Sequence, residues 1–282
     1  MHRLANSLFL LTSLAALPAL AQDKGVQVKL LNPPGATYSW AAALNNKGTV
    51  IVGSFTDSTG KLSGYALVRE QYKVIDAPGS HNFTRASGVN NANTIVGDYI
   101  DSAGLNHGFL LNNGKFIRYD VNGIPTTVYA INDKGNFSGN TVPVQQSSTG
   151  FVNIHGKATL FTIDNDSTFV FGINNANAVV GFYLVPPAFL AHGYMRAEDG
   201  TVTRIDYPGA PITSCLGIND DGLVVGLYVD QNDVGHGFTY KDGKYQESSL
   251  PDIAAINDSG NYVGSYTTVH SKNLGYLARK LH

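Results

Sequence analysis

The chain has 282 residues, with 19 Lys and Arg against 21 Asp and Glu, a net charge of −2 and one cysteine. That balance leaves no basic footprint for nucleic acid and no Lys/Arg run for an anionic membrane surface. A lone cysteine excludes an internal disulfide, so stability has to come from packing and closure.

The first element is a targeting segment. Arg3 gives a positive start, Leu8 to Leu20 is apolar, and Ala19-Leu20-Ala21 is a small-x-small cleavage pattern. Residues 1–21 are therefore expected to be a secretory signal peptide cleaved after Ala21, with an uncleaved anchor as the alternative. No other segment approaches the ~20 apolar residues of a membrane-spanning helix. The protein is expected to be secreted or periplasmic, with residues 22–282 forming one domain.

That domain is all-β by composition: Gly is abundant, Tyr and Phe are frequent, and Asn/Asp/Gly turns recur. A unit of the form small-Ile-Asn-Asn/Asp-x-Gly/Asn-x-x-Val-Gly occurs six times. Its Asn residues are Asn45, Asn90, Asn132, Asn174, Asn219 and Asn257. Each copy closes on a glycine: Gly53, Gly97, Gly139, Gly181, Gly226 and Gly264. A second mark, Gly-aromatic, follows, as in His107-Gly108-Phe109, His192-Gly193-Tyr194 and His236-Gly237-Phe238. The period is about 42 residues, within the range of propeller blades.

Each repeat reads as four short strands. A first strand ending in Ile-Asn turns through an Asn-Asp-x-Gly hairpin into a second, such as Val224 to Tyr228. A polar loop leads to a third strand at His-Gly-Phe. A hairpin such as Lys241-Asp242-Gly243-Lys244 leads to a fourth, which often ends in Ile-Asp-x-Pro-Gly. The last repeat stops after its third strand. Val26 to Leu31, followed by Pro33-Pro34-Gly35, has the pattern of a fourth strand with nothing before it. The predicted fold is therefore a six-bladed β-propeller of four-stranded antiparallel blades, the last blade closed by the N-terminal strand. Closure of this kind removes two exposed sheet edges.

Ile205-Asp206-Tyr207-Pro208-Gly209, Gly217 to Tyr228 and His236-Gly237-Phe238 together resemble the extracellular HAF repeat family. This chain has Gly where that family's His-Ala-Phe motif has Ala, and three of its copies lack the His. The resemblance covers essentially the whole mature chain. It implies a secreted bacterial repeat protein with a propeller-like fold, and it implies no activity and no catalytic residues.

Residues present in every repeat are expected to be structural. The repeated Asn should cap its own hairpin by an Asx-type hydrogen bond; a ring of Asn binding a cation is the alternative. The His of His-Gly is expected to bond backbone in its own or the next blade. Asp57, Asp101 and Asp230 read as turn formers, and Cys215 as a small buried hydrophobe. His107, His192 and His236 lie on different blades without ligand spacing, so no metal or cofactor is expected.

Function should sit where the repeats differ. The residue five before each repeated Asn opens the first strand of a blade on the loop face, and in turn it is Trp40, Arg85, Thr127, Phe169, Ser214 and Asp252. Tyr129 and Phe171 lie two residues further in, while Tyr38 and His81 are expected in adjoining loops. Aromatic faces with a few polar groups suit a carbohydrate or peptide ligand; the alternative is that these residues plug the channel. The apolar segment Leu184 to Leu190, read as a surface loop, could contact a protein partner, and the loop from Asn140 to Thr149 also departs from the pattern. No nucleophile elbow, His-Glu-x-x-His or P-loop is present, and no carboxylate pair for glycoside chemistry is visible. The reading is thus a monomeric, non-catalytic binding propeller with no catalytic residues assigned. A hydrolase or lyase acting on a polysaccharide-like or lactone-like substrate, with Asp252 and Arg85 or His81 as acid–base groups, is the alternative.

Overall fold

A computed structural model describes residues 26–141, 147–250, 252–267 and 272–280. The signal peptide expected at 1–21, and most of the loop expected between Asn140 and Thr149, lie outside the described residues.

The described chain is built from 24 strands, with one short 3-10 turn at Val121–Gly123. It opens with β1 (Val26–Leu31). The first unit is β2 (Tyr38–Leu44), β3 (Val50–Thr56), β4 (Leu62–Val68) and β5 (Gln71–Ile75). The second is β6 (Ser80–Val89), β7 (Ile95–Asp101), β8 (Asn106–Asn112) and β9 (Lys115–Tyr119). The third is β10 (Thr126–Ile131), β11 (Phe137–Thr141), β12 (Thr149–Ile154) and β13 (Lys157–Phe161). The fourth is β14 (Ser167–Ile173), β15 (Val179–Val185), β16 (Leu190–Arg196) and β17 (Val202–Ile205). The fifth is β18 (Ile212–Ile218), β19 (Val224–Val229), β20 (Gly235–Lys241) and β21 (Lys244–Ser248). The sixth has only β22 (Ile253–Ile256), β23 (Tyr262–Thr267) and β24 (Asn273–Lys280) from its own repeat. β1 supplies its fourth strand, pairing antiparallel with β24 from Val26↔Lys280 to Leu31↔Gly275. A single parallel contact, Leu62↔Phe83, joins the first two units.

Burial grades outward through each unit, and the sequence shows why. The second strands are Val/Ile/Phe-rich and buried on both faces, as in β3 and β7. The fourth strands alternate exposed and half-buried residues, as in β9 and β13, because they face solvent on one side. The apolar cores lie between units. Val52 and Ile75 of the first unit pack with Ala86, Ile95 and Phe109 of the second. Leu31, Val263 and Leu277 of the sixth pack with Ala41, Ile51 and Tyr65 of the first. Each fully buried Val, Leu or Phe contributes about 1.5–3 kcal/mol.

The repeated Asn does two jobs. Its side-chain oxygen caps the following turn, as expected: Asn90 Oδ1 accepts from the backbone N–H of Ala92 and Thr94 at 3.1 and 3.0 Å. Its amide nitrogen also donates to the backbone carbonyl of the equivalent Asn one unit on. These bonds run Asn90 to Asn132, Asn132 to Asn174, Asn174 to Asn219, Asn219 to Asn257 and Asn257 back to Asn45. The capping reading was right, and the same side chain staples neighbouring units together.

Every first strand carries a bulge that repetition alone did not reveal. The register slips between Ala41 and Ala43, Ala86 and Gly88, Val128 and Ala130, Val170 and Gly172, Cys215 and Gly217, and Ile253 and Ala255. The extra residue is Ala42, Ser87, Tyr129, Phe171, Leu216 or Ala254, and all six line an axial cavity. A bulge re-aims one side chain without moving the ladder on either side of it.

Candidate functional site

The axial cavity is small, about 90 Å³, well below the ~300 Å³ at which ligand pockets begin. Its turn end is spanned by hydrogen bonds. The residue after each repeated Asn forms a belt in which the side chain of one accepts from the backbone N–H at or beside the previous one. The series runs Lys47 N–H to Asn91, Asn91 to Asp133, Asp133 to Asn175, Asn175 to Asp220, Asp220 to Asp258 and Asp258 to Asn46. Asn46 Nδ2 also donates to Asp133 and Asp220, at 3.4 and 3.3 Å. Those residues belong to the third and fifth units, so these contacts cross the axis. Among the described residues no group of His, Cys, Asp and Glu is arranged to hold a metal ion.

The variable side chains gather at the other end of the first strands, on the loop face. Arg85 does not meet Asp252. It forms a two-pronged ion pair with Asp98, its cross-strand partner on β7, at 2.8 and 3.2 Å. The guanidinium carbon lies 5.2 Å from the Tyr129 ring centroid and 5.8 Å from that of Phe83. Burial raises the Asp98 carboxyl above the usual carboxylate range, with the charge and hydrogen bonds of Arg85 opposing the shift; burial also works against the Arg85 charge, but the Asp98 carboxylate beside it outweighs that and holds the guanidinium above its ordinary value. Thr127 is buried and accepts from Asn106 Nδ2 at 2.8 Å. Beyond Tyr129 the aromatic run continues: Tyr129–Phe171 at 4.7 Å, Phe171–Phe182 at 5.5 Å and Phe169–Phe182 at 4.9 Å. Ser214 is buried beside its cross-strand partner Leu227.

A second group lies where the sixth unit meets the first. Tyr38 and Trp40 meet edge to face at 5.6 Å. Tyr38 is the first residue of β2 and not a loop residue; its hydroxyl accepts from the Asn273 amide and feels the charge of Asp252. Asp252 accepts a hydrogen bond from Ser265, and burial raises its carboxyl above the usual carboxylate range, the Ser265 bond opposing the shift. His81 lies within β6, exposed, and not in a loop.

Three further expectations need correction. The motif histidines bond carboxylates, not backbone. His107 sits between Asp101 and Asp120 at 3.1 and 3.0 Å, His192 on Asp206 at 3.2 Å, and His236 between Asp230 and Glu247 at 3.2 and 3.4 Å. Asp101 and Asp230 cap their turns as predicted and offer the second carboxylate oxygen to the histidine. Leu184 to Leu190 is a tight hairpin and not a loose loop. Leu184 and Val185 end β15, Leu190 begins β16, and only residues 186–189 form the turn, with Phe189 half exposed at its tip. Of the partners considered for Asp252 in a catalytic reading, Arg85 is engaged by Asp98 instead.

Sequence reasoning missed the partners. Each of the six variable residues faces the residue after the repeat glycine on its second strand: Ser54, Asp98, Asn140, Phe182, Leu227 or Ser265. That position also varies from repeat to repeat, and antiparallel pairing places it opposite the first.

Solved structures share the fold. The chain is similar to TolB from Acinetobacter baumannii (TM-score 0.61, 11% identity, 83% of this chain and 64% of that one). It is similar to AofleA from Arthrobotrys oligospora (TM-score 0.55, 12% identity, 91% and 86%), and to the β-propeller domain of the Trilobed protease from Pyrococcus furiosus (TM-score 0.50, 8% identity, 82% and 78%). The fold is a β-propeller. The chain spans 64% of the length of that TolB. No family model and no curated protein matches the sequence, so the likeness lies in the fold. Among the described residues no helix of the propeller is long and apolar enough to cross a membrane.

Proposed function

We propose that this protein is a secreted, monomeric six-bladed β-propeller that binds a carbohydrate or peptide ligand on the loop face around its axis, without catalysing a reaction. The observation that carries this reading is the asymmetry of the two ends. The turn end is crossed by the hydrogen bonds of the Asn/Asp belt, and the axial cavity it lines, about 90 Å³, is too small for a sugar ring or a peptide. The loop end gathers half-buried aromatic and charged side chains that differ from blade to blade: Tyr38, Trp40, Arg85, Tyr129, Phe169 and Phe171. Rigid aromatic faces beside a few polar groups are the usual makeup of such sites. The exposed 186–189 turn offers a further contact for a protein partner. The resemblance to secreted HAF repeats supports the secreted-propeller part of this reading.

The test uses Trp40, the single tryptophan of the chain. Titration of the mature protein with oligosaccharides and short peptides should give a saturable change in its emission. Trp40→Ala should weaken binding at least tenfold while the protein stays folded. If that substitution instead costs the ~3–5 kcal/mol typical of a core aromatic, Trp40 is packing and the site assignment fails.

A further inference from the structure

We infer that the seam between the sixth and first blades holds a subsite for an organic cation, an ammonium or guanidinium group, with Asp252 as counter-ion, the Asn273 side-chain oxygen as a second acceptor, and Tyr38 and Trp40 as an aromatic wall. The inference deepens the proposed ligand-binding function and rests on it.

The molecule carries its own model of such a subsite. At the seam between the second and third blades, the chain seats a guanidinium, that of Arg85, on Asp98 beside the Tyr129 ring, with Asn106 and Thr127 completing the network. The repeat register gives the corresponding residues at the sixth–first seam. Asp252 stands where Arg85 does, Ser265 where Asp98 does, Asn273 where Asn106 does, Trp40 where Thr127 does, and Ala42 where Tyr129 does. The carboxylate has moved across the strand pair, and both the cation and the phenol are gone. Ala42, in place of the tyrosine, leaves space on the wall of the axial cavity.

What remains is a surplus of acceptors. Among the described residues no Lys, Arg or His pairs with Asp252, whose carboxylate accepts from the Ser265 hydroxyl. Asn273 is 5% exposed; its nitrogen donates to the Tyr38 hydroxyl, and its Oδ1 has no hydrogen-bond partner among the described residues. Buried acceptors are normally satisfied, so an orphan and a carboxylate without a cation, both adjoining Tyr38, mark a place for a donor from outside. A group with several N–H donors and a positive charge meets both oxygens. The indole and phenol faces attract it as well, tryptophan most strongly of the aromatic side chains. A neutral sugar would leave the carboxylate uncompensated, and a bare metal ion would make no use of the aromatic wall.

The experiment compares N-acetyl-arginine amide with N-acetyl-citrulline amide, which has the same shape without the charge, by Trp40 fluorescence on the mature protein at low salt. A neutral oligosaccharide is titrated in parallel. The expected result is saturable binding of the arginine compound, at least tenfold weaker binding of the citrulline compound, and loss of that preference in Asp252→Asn. That variant retains a partner for Ser265, and its circular dichroism and thermal unfolding verify that it is folded. Equal binding of the two compounds, or an arginine preference that survives Asp252→Asn, overturns the cation subsite. Binding of the oligosaccharide with no response to arginine overturns it too, while leaving the ligand face in place. Silence from every ligand sinks both.

Discussion

A Cβ placed on Gly97 would stand 1.9 Å from the carbonyl oxygen of Arg85. The same clash recurs in every blade, where the repeat glycine meets the carbonyl of Trp40, Thr127, Phe169, Ser214 or Asp252 at 1.8 to 2.1 Å. The bulge in the first strand presses its backbone onto the second, so only a residue without a side chain fits. Gly97→Ala should therefore cost more than the ~1–3 kcal/mol of ordinary overpacking, because backbone on both sides has to move. Gly104→Ala meets no neighbour within 4 Å and carries only the strain of its positive φ, +79°, about 1 kcal/mol. Urea unfolding of the two variants should differ clearly, and similar midpoints would refute the clash as the reason for the motif.

Ser138 occupies a position that is Val52, Val96, Val180, Val225 and Val263 in the other blades. It is fully buried, and its hydroxyl has no hydrogen-bond partner among the described residues. Ser138→Val should stabilise the protein by about 1 kcal/mol, by removing an unsatisfied polar group and filling the space with a methyl. A lower urea midpoint for the variant would mean that the hydroxyl meets a need the structure does not show.

Breaking the Arg85–Asp98 pair from one side should be more damaging than replacing it whole. Arg85→Ala strands the buried Asp98 carboxylate and should cost about 3–5 kcal/mol. The double variant Arg85→Met, Asp98→Leu should recover most of that loss. A double-mutant cycle checks this, and additive losses would show that the two side chains do not act as a pair.

Asp252 predicts a pH dependence of stability with a definite sign. Burial raises its carboxyl in the folded protein, so the folded state holds the proton more tightly than the unfolded state does. Stability from this group is full below about pH 4, the ordinary carboxylate value, and declines as pH rises from there through the folded-state value. Tyr38 and Ser265 face this carboxylate, and neither is a cation. Asp252→Asn should flatten that decline and raise the Tm at pH 7 by a few degrees, at roughly 2–4 °C per kcal/mol for a domain of this size. An unchanged pH profile would show that Asp252 is not the group responsible.

Cys215 is fully buried against Gly193 of the neighbouring blade, and burial pushes its thiol well above the usual range. A thiol reagent should leave the folded protein unmodified and react stoichiometrically once urea has unfolded it. Rapid reaction without denaturant would show that the seam opens.

The all-β class, the six repeats and the pairing of Val26–Leu31 with the end of the chain were legible because each leaves a periodic trace. The hairpins demand Asn and Gly, the second strands run apolar, and an unpaired fourth-strand pattern stands at one end with a missing one at the other. The capping role of Asn90 and its counterparts was legible for the same reason, since an Asx turn is local. The targets of His107, His192 and His236 were not, because the carboxylates that hold them come from the end of the second strand and from the fourth strand, or from just past them. The candidate site divides along the same line. Repetition picked out Trp40, Arg85 and Asp252 as positions that escape it. Whether each is satisfied depends on a residue from another strand or another blade: Asp98 satisfies Arg85, Ser265 answers Asp252 in part, and Asn273 keeps an oxygen unpaired. A linear sequence records what must recur in every blade to make the fold; only the tertiary structure, by bringing strands of different blades face to face, decides which variable side chains neutralise one another and which keep an acceptor to spare.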